Sequence, residues 1–124
     1  MLSRLRSHNN NICILRISNE ILHIPGCILT DRNASCYFLK FFTVNEGMNN
    51  LDFDKIFDRY WYHDEYDSFD KMEHKSIKCA EVLIPEKLAS DYIFGAYVIN
   101  EDVKKKLIDV GFIKPIIINY GIFF

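Results

Sequence analysis

Residues 79–85 read CAEVLIP, an apolar run stopped by a proline and interrupted at its third position by a glutamate. Side chains alternate across a strand, so Cys79, Glu81 and Leu83 fall on one face and Ala80, Val82 and Ile84 on the other. A carboxylate among such neighbours sits either at a sheet edge facing water or in a cleft. In a cleft, desolvation raises its affinity for a proton and equips it as a base or as a partner for a sugar hydroxyl. An exposed or salt-bridged strand glutamate is the commoner case, and the pattern alone leaves both open.

Immediately upstream, residues 62–78 (YHDEYDSFDKMEHKSIK) follow neither a helical nor a strand period and read as a long irregular loop. Loops of that length in a compact domain are usually functional or disordered. Lys71, His74, Lys75 and Lys78 line up there with Tyr62, Tyr66 and Phe69. Cations meet phosphates and flat rings stack on bases, so this mixture suits single-stranded nucleic acid. The acids Asp64, Glu65, Asp67, Asp70 and Glu73 weaken the local field and fit a plain solvated loop equally well. His63 and His74, separated by ten irregular residues, are a weak signal for a general acid/base or metal pair; surface histidines are the commoner case, and no metal is expected.

Further out, ICILRI (12–17), CILT (27–30) and IFGAYVI (93–99) read as strands, as do the closing stretches KPIIINY and IFF. SNEILHIPG reads as a turn closed by Pro25-Gly26, DRNAS (31–35) as a polar loop, and CYFLKFFTV (36–44) as helix or strand. NEGMNN reads as a breaker and LDFDKIFDRYW as one amphipathic helix. NEDVKKKLIDVG is a helix with Asn100 as its cap, Glu101 and Asp102 in its first turn and Gly111 as its stop. Residues 1–11 read as a flexible polar segment and 12–124 as one α+β domain.

The chain has 124 residues, a net charge of −2 and eighteen aromatic residues, ten Phe, seven Tyr and one Trp. That length buries a real core, and the charge provides no global field for nucleic acid, so any such contact is local. Cys13, Cys27, Cys36 and Cys79 lack CxxC spacing, which argues against zinc; unpaired thiols without a signal peptide fit a reducing cytoplasm. No apolar run approaches the roughly 20 residues that span a membrane.

Taken together, ILRISNEILHIPGCILTDRNAS, LDFDKIFDRYW, HKSIKCAEVLIPEKLASDYIFGAYVIN and the terminal YGIFF resemble, in unbroken order over residues 12–124, the DarT family of DNA ADP-ribosyltransferase toxins. The resemblance implies a split mixed β-sheet with short helices, here the C-terminal part of the domain and hence incomplete. It implies NAD as substrate, no metal, and transfer of ADP-ribose to a thymidine or guanosine base of single-stranded DNA. Glu81 corresponds to the family's catalytic glutamate, and about residues 59–78, with Lys71, His74, Lys75 and Lys78, to its DNA-recognition loop. The His-bearing strand and Arg-bearing segment that hold NAD in the family have no counterpart, and their roles are not carried onto Arg4, Arg6 or His8. Arg32 stands where the family's TDGNA-like loop has glycine, so a turn needing positive φ would be strained. The expected partners are an antitoxin and, through an exposed sheet edge, a second copy of the chain. The alternative is a non-catalytic remnant that binds DNA or the antitoxin.

Overall fold

A computed structural model of the chain describes residues 11–123; the flexible segment expected over 1–11 lies, but for Asn11, outside the described residues. In chain order the strands and helices are β1 (Cys13–Ile17), β2 (Ile28–Thr30), β3 (Phe41–Thr43), α1 (Val44–Asn50), α2 (Phe53–Phe57), α3 (Ser68–Ile77), β4 (Val82–Leu83), β5 (Ile93–Val98), α4 (Glu101–Asp109) and β6 (Ile116–Ile118). Short 3-10 turns at Asn19–His23, Ser90–Tyr92 and Tyr120–Phe123 complete them. This is the expected α+β class. The elements fall into two compact units, one joining the stretch up to Glu20 to that from Ala89 onward, the other Ile21–Leu88.

The first unit holds a mixed three-stranded sheet in the order β1-β5-β6, with β1 antiparallel and β6 parallel to the central β5. Ala96 and Val98 of β5 are fully buried, and Val103 of α4 and Phe123 join the buried set. Gly95 permits the approach of β6: a Cβ there would lie 2.8 Å from the Pro115 carbonyl oxygen, which accepts the Ala96 N–H at 3.0 Å. Asn100 caps α4 as the sequence predicts, accepting the Val103 N–H at 2.9 Å, and Gly111 follows the helix at φ 97°.

The second unit holds an antiparallel sheet in the order β3-β2-β4, with Leu29 and Thr30 of the central strand buried. Cys27, just before β2, is also buried, and burial pushes its thiol up from the ordinary value.

Several local expectations change, and the strand expected at IFF gives way to the 3-10 turn Tyr120–Phe123. NEGMNN is the body of helix α1, because Thr43 and Glu46 close a capping box that outweighs poor intrinsic propensity. The amphipathic helix over LDFDKIFDRYW shortens to Phe53–Phe57. Most of the irregular stretch 62–78 is helix α3, started by a second capping box between Asp67 and Asp70. The strand in CAEVLIP contracts to Val82–Leu83, with Glu81 just before it. The backbone strain anticipated at Arg32 is absent as well: Glu86, at φ 61°, is the one non-glycine residue at positive φ among the described residues.

Candidate active site and the segment before it

Glu81 is fixed at three points, two on Thr30 at the end of β2 and one on the loop that follows. Its backbone N–H donates to Thr30 Oγ1 at 2.9 Å, and its carbonyl accepts the Thr30 N–H at 2.9 Å. Its carboxylate Oε2 accepts the Ala34 N–H at 2.9 Å. Thr30, with none of its surface exposed, also donates its hydroxyl to the Arg32 carbonyl at 2.7 Å. TDRNA and the glutamate are thereby knotted together across 47 residues of sequence. One carboxylate oxygen is held by a backbone amide, which fixes the side chain's direction.

Glu81 and Thr30 line a cavity of about 240 Å³ with apolar walls that include Leu29, Met48, Phe53 and Val82. The half-buried glutamate thus sits at a concave, largely apolar surface, the second of the two placements that the sequence left open. Beside it, Arg32 carries a buried Nε without a hydrogen bond, although that atom lies 3.4 Å from Asp31 Oδ2. The ion pair is real at that distance but too poorly aligned to satisfy the N–H.

Helix α3 runs into the turn at 78–80, where Cys79 and Ala80 donate backbone N–H groups to Ser76 and Ile77 at 3.0 Å, and Glu81 follows directly. The four predicted DNA-contacting side chains separate into two pairs. Lys71 and Lys75 are exposed, and Lys75 Nζ lies 5.1 Å from the centre of the Trp61 ring. His74 is 2% exposed, with Nε2 donating to the Lys55 carbonyl at 3.0 Å. Lys78 is half-buried and donates to the Asp58 carbonyl. His74 and Lys78 therefore hold α3 against the end of α2 instead of facing solvent.

Asp58 is the hub of that packing. Its Oδ1 accepts the Tyr60 N–H at 3.1 Å, and its Oδ2 lies 2.8 Å from His63 Nε2 and 3.9 Å from His74 Nε2. The Tyr60 amide first, and then the His63 hydrogen bond, hold its carboxyl below the usual carboxylate range. The His63 and His74 rings stack at 5.7 Å and 15°, with the Tyr66 ring 5.0 Å from the first and 5.7 Å from the second. His63 is half-buried, so neither ring is the surface histidine that the sequence suggested.

Sequence reasoning missed Thr30, Ala34 and Asp58. Thr30 and Ala34 belong to the quoted TDRNA stretch, but nothing in one dimension ties them to Glu81. Asp58 was hidden in an acidic run that reads as a solvated helix face.

Solved structures resemble this fold. Over the whole chain it superposes on Thermosipho africanus DarTG in complex with ADP-ribose with a TM-score of 0.78 at 21% identity, covering 33% of that chain. For Thermus sp. 2.9 DarT in complex with NAD+ the TM-score is 0.70 at 20% identity, over 87% of this chain and 55% of that one. The same enzyme in complex with ADP-ribosylated ssDNA gives 0.70 and 20%, covering 87% and 52%. The chain thus spans between a third and just over half of the length of these relatives. No curated protein matches it in sequence. No helix among the described residues is long and apolar enough to cross a membrane. Residues 1–124 match the family described as ssDNA thymidine ADP-ribosyltransferase, DarT, and the chain belongs to that family.

Proposed function

We propose that this chain carries the glutamate-bearing part of an NAD-dependent transferase that places ADP-ribose on a thymidine base of single-stranded DNA. Membership of the DarT family supports the reaction class, and the likeness to structures in complex with NAD+ and with ADP-ribosylated ssDNA supports both substrates. The observation that carries the reading is Glu81: a carboxylate on an apolar cavity, aimed by the Ala34 amide and anchored through Thr30.

In this reading the base attacks the ribose carbon that bears nicotinamide. The new bond to the base forms as the bond to nicotinamide breaks, and nicotinamide leaves with the bonding pair. Positive charge builds on the sugar in between, and a fixed carboxylate is worth most against charge that develops there. Glu81 also accepts a hydrogen bond from a ribose hydroxyl or takes the proton that the base gives up. Lys71 and Lys75 lie on the exposed side of α3 with Trp61 and Tyr62 nearby in sequence, a combination suited to a phosphate backbone and its bases.

Guanosine as the alternative base, a toxin's role with an antitoxin partner, and residence in the cytoplasm belong to the same proposal. The four free thiols support the last of these. Exposed apolar side chains such as Tyr37 and Ile113, 92% and 93% accessible, support self-association.

The test is transfer from labelled NAD to thymidine-containing and guanosine-containing oligonucleotides by the chain and by Glu81→Gln. Transfer by the unaltered chain, reduced at least about a hundredfold by Glu81→Gln, is the expected result. Equal transfer by both proteins rules out the catalytic role of Glu81. Binding of the oligonucleotide without any transfer favours the non-catalytic remnant.

A further inference from the structure

The cluster at the base of the 59–78 segment offers a second kind of chemistry. Asp58, His63 and His74 each present one ligating atom, and these three atoms lie within 4.8 Å of one another. Asp58 follows α2, His63 stands in the connection, and His74 is the buried residue of α3. The three residues come from separate points of one segment and converge.

His74 Nε2 is the nitrogen that faces Asp58 Oδ2, at 3.9 Å, and it donates to the Lys55 carbonyl, which can only accept. The other nitrogen, Nδ1, is buried with no hydrogen-bond partner, so the single proton of the ring can move there and free Nε2 as a ligand. Neutral imidazole is the form that ligates metals.

We infer that Asp58, His63 and His74 form a binding site for a divalent transition-metal ion of the zinc type. Two imidazoles and one carboxylate suit such an ion better than calcium or magnesium, which prefer sets made wholly of oxygen. In a tetrahedral site, ligand atoms lie roughly 3.3 Å apart, given metal–ligand bonds of about 2.0–2.1 Å. The 2.8 Å and 3.9 Å separations from Asp58 Oδ2 bracket that spacing, so small side-chain movements complete the set. The ion takes the place of the protons on His63 Nε2 and His74 Nε2; each proton moves to Nδ1 of its own ring, and the His74 hydrogen bond to the Lys55 carbonyl is given up. Its effect is to clamp the end of α2 to α3 across the intervening connection, closing a loop that would otherwise fluctuate. The site stands apart from the transfer chemistry, for which NAD is the substrate and no metal is implied.

The experiment is a zinc titration of the 124-residue chain after EDTA treatment, followed by calorimetry and thermal unfolding, with cobalt(II) as a spectroscopic substitute. Expected are one saturable equivalent, a rise in Tm of about 5 °C or more at saturation, and the intense visible absorption of tetrahedral cobalt. His63→Ala and Asp58→Asn each weaken binding at least about tenfold, while His23→Ala, at an exposed position, leaves it unchanged. His63 is half-buried and Asp58→Asn is nearly isosteric, so both variants retain a folded chain to measure. Uptake without saturation, or binding by His63→Ala as tight as by the unaltered chain, overturns the assignment. None of these readouts depends on transfer activity, so the metal site and the enzymatic reading stand or fall separately.

Discussion

Thr30 has one hydroxyl proton, for which two backbone carbonyls compete, and an oxygen that accepts a backbone N–H. The Arg32 carbonyl at 2.7 Å takes the proton in preference to the Glu81 carbonyl at 3.4 Å, and the oxygen's lone pair receives the Glu81 N–H. The side chain is fully buried, so water cannot replace these bonds. Thr30→Val keeps the shape and strands an N–H and a carbonyl, at a cost of about 1–3 kcal/mol in stability. On the role proposed for Glu81, Thr30 acts on the reaction through that carboxylate, which makes it a positioning residue. The expected result is therefore a fall of about tenfold or more in kcat with a smaller change in the KM for NAD, and recovery in Thr30→Ser, which restores the hydroxyl. A loss confined to KM in a stably folded Thr30→Val would show that the threonine does not aim the carboxylate.

Among the elements, α1 shows how packing reverses a propensity. Replacing an interior helical glycine by alanine ordinarily stabilises a helix by about 1 kcal/mol. At Gly47 the added Cβ would lie 2.7 Å from Leu29 Cδ1 and 3.0 Å from Leu29 Cβ, in the middle of the buried central strand. Gly47→Ala is therefore expected to lower the Tm, with overpacking of about 1–3 kcal/mol exceeding the helical gain. Thermal unfolding followed by circular dichroism decides the sign. The sequence did hold the signals for both unforeseen helices, Thr43 with Glu46 and Asp67 with Asp70, each an acceptor three residues before an acid. They were outweighed because Asn, Gly and charged residues fill the helices themselves, and His74 is the one buried side chain of α3. A helix that buries so little leaves no apolar stripe to read. β5 and α4 were legible for the opposite reason: one has a continuous apolar run, and the other has a clear cap, acidic first turn and glycine stop.

At the scale of the whole chain, the α+β class and the place of Glu81 beside an apolar strand could be read from the sequence, because both rest on local pattern. The partners of Glu81 could not, since the Ala34 contact spans 47 residues. Nor could the fate of the cations between 71 and 78, which depends on where α2 ends. Two of those four side chains are committed to holding α3 in place, His74 to the Lys55 carbonyl and Lys78 to the Asp58 carbonyl. That commitment limits how many counterions an oligonucleotide can release when it docks on this segment. Each neutralised phosphate of a single strand contributes about −0.7 to the slope of log K against log salt concentration. Lys71 and Lys75 alone give a contribution of about −1.4, against about −2.8 if all four carried charge to the backbone. Oligonucleotide affinity measured across a series of sodium chloride concentrations, for the chain and for the Lys71→Ala/Lys75→Ala variant, reads the contribution of these two lysines. The variant is expected to flatten the slope by about 1.4, and an unchanged slope would mean that neither lysine meets the backbone.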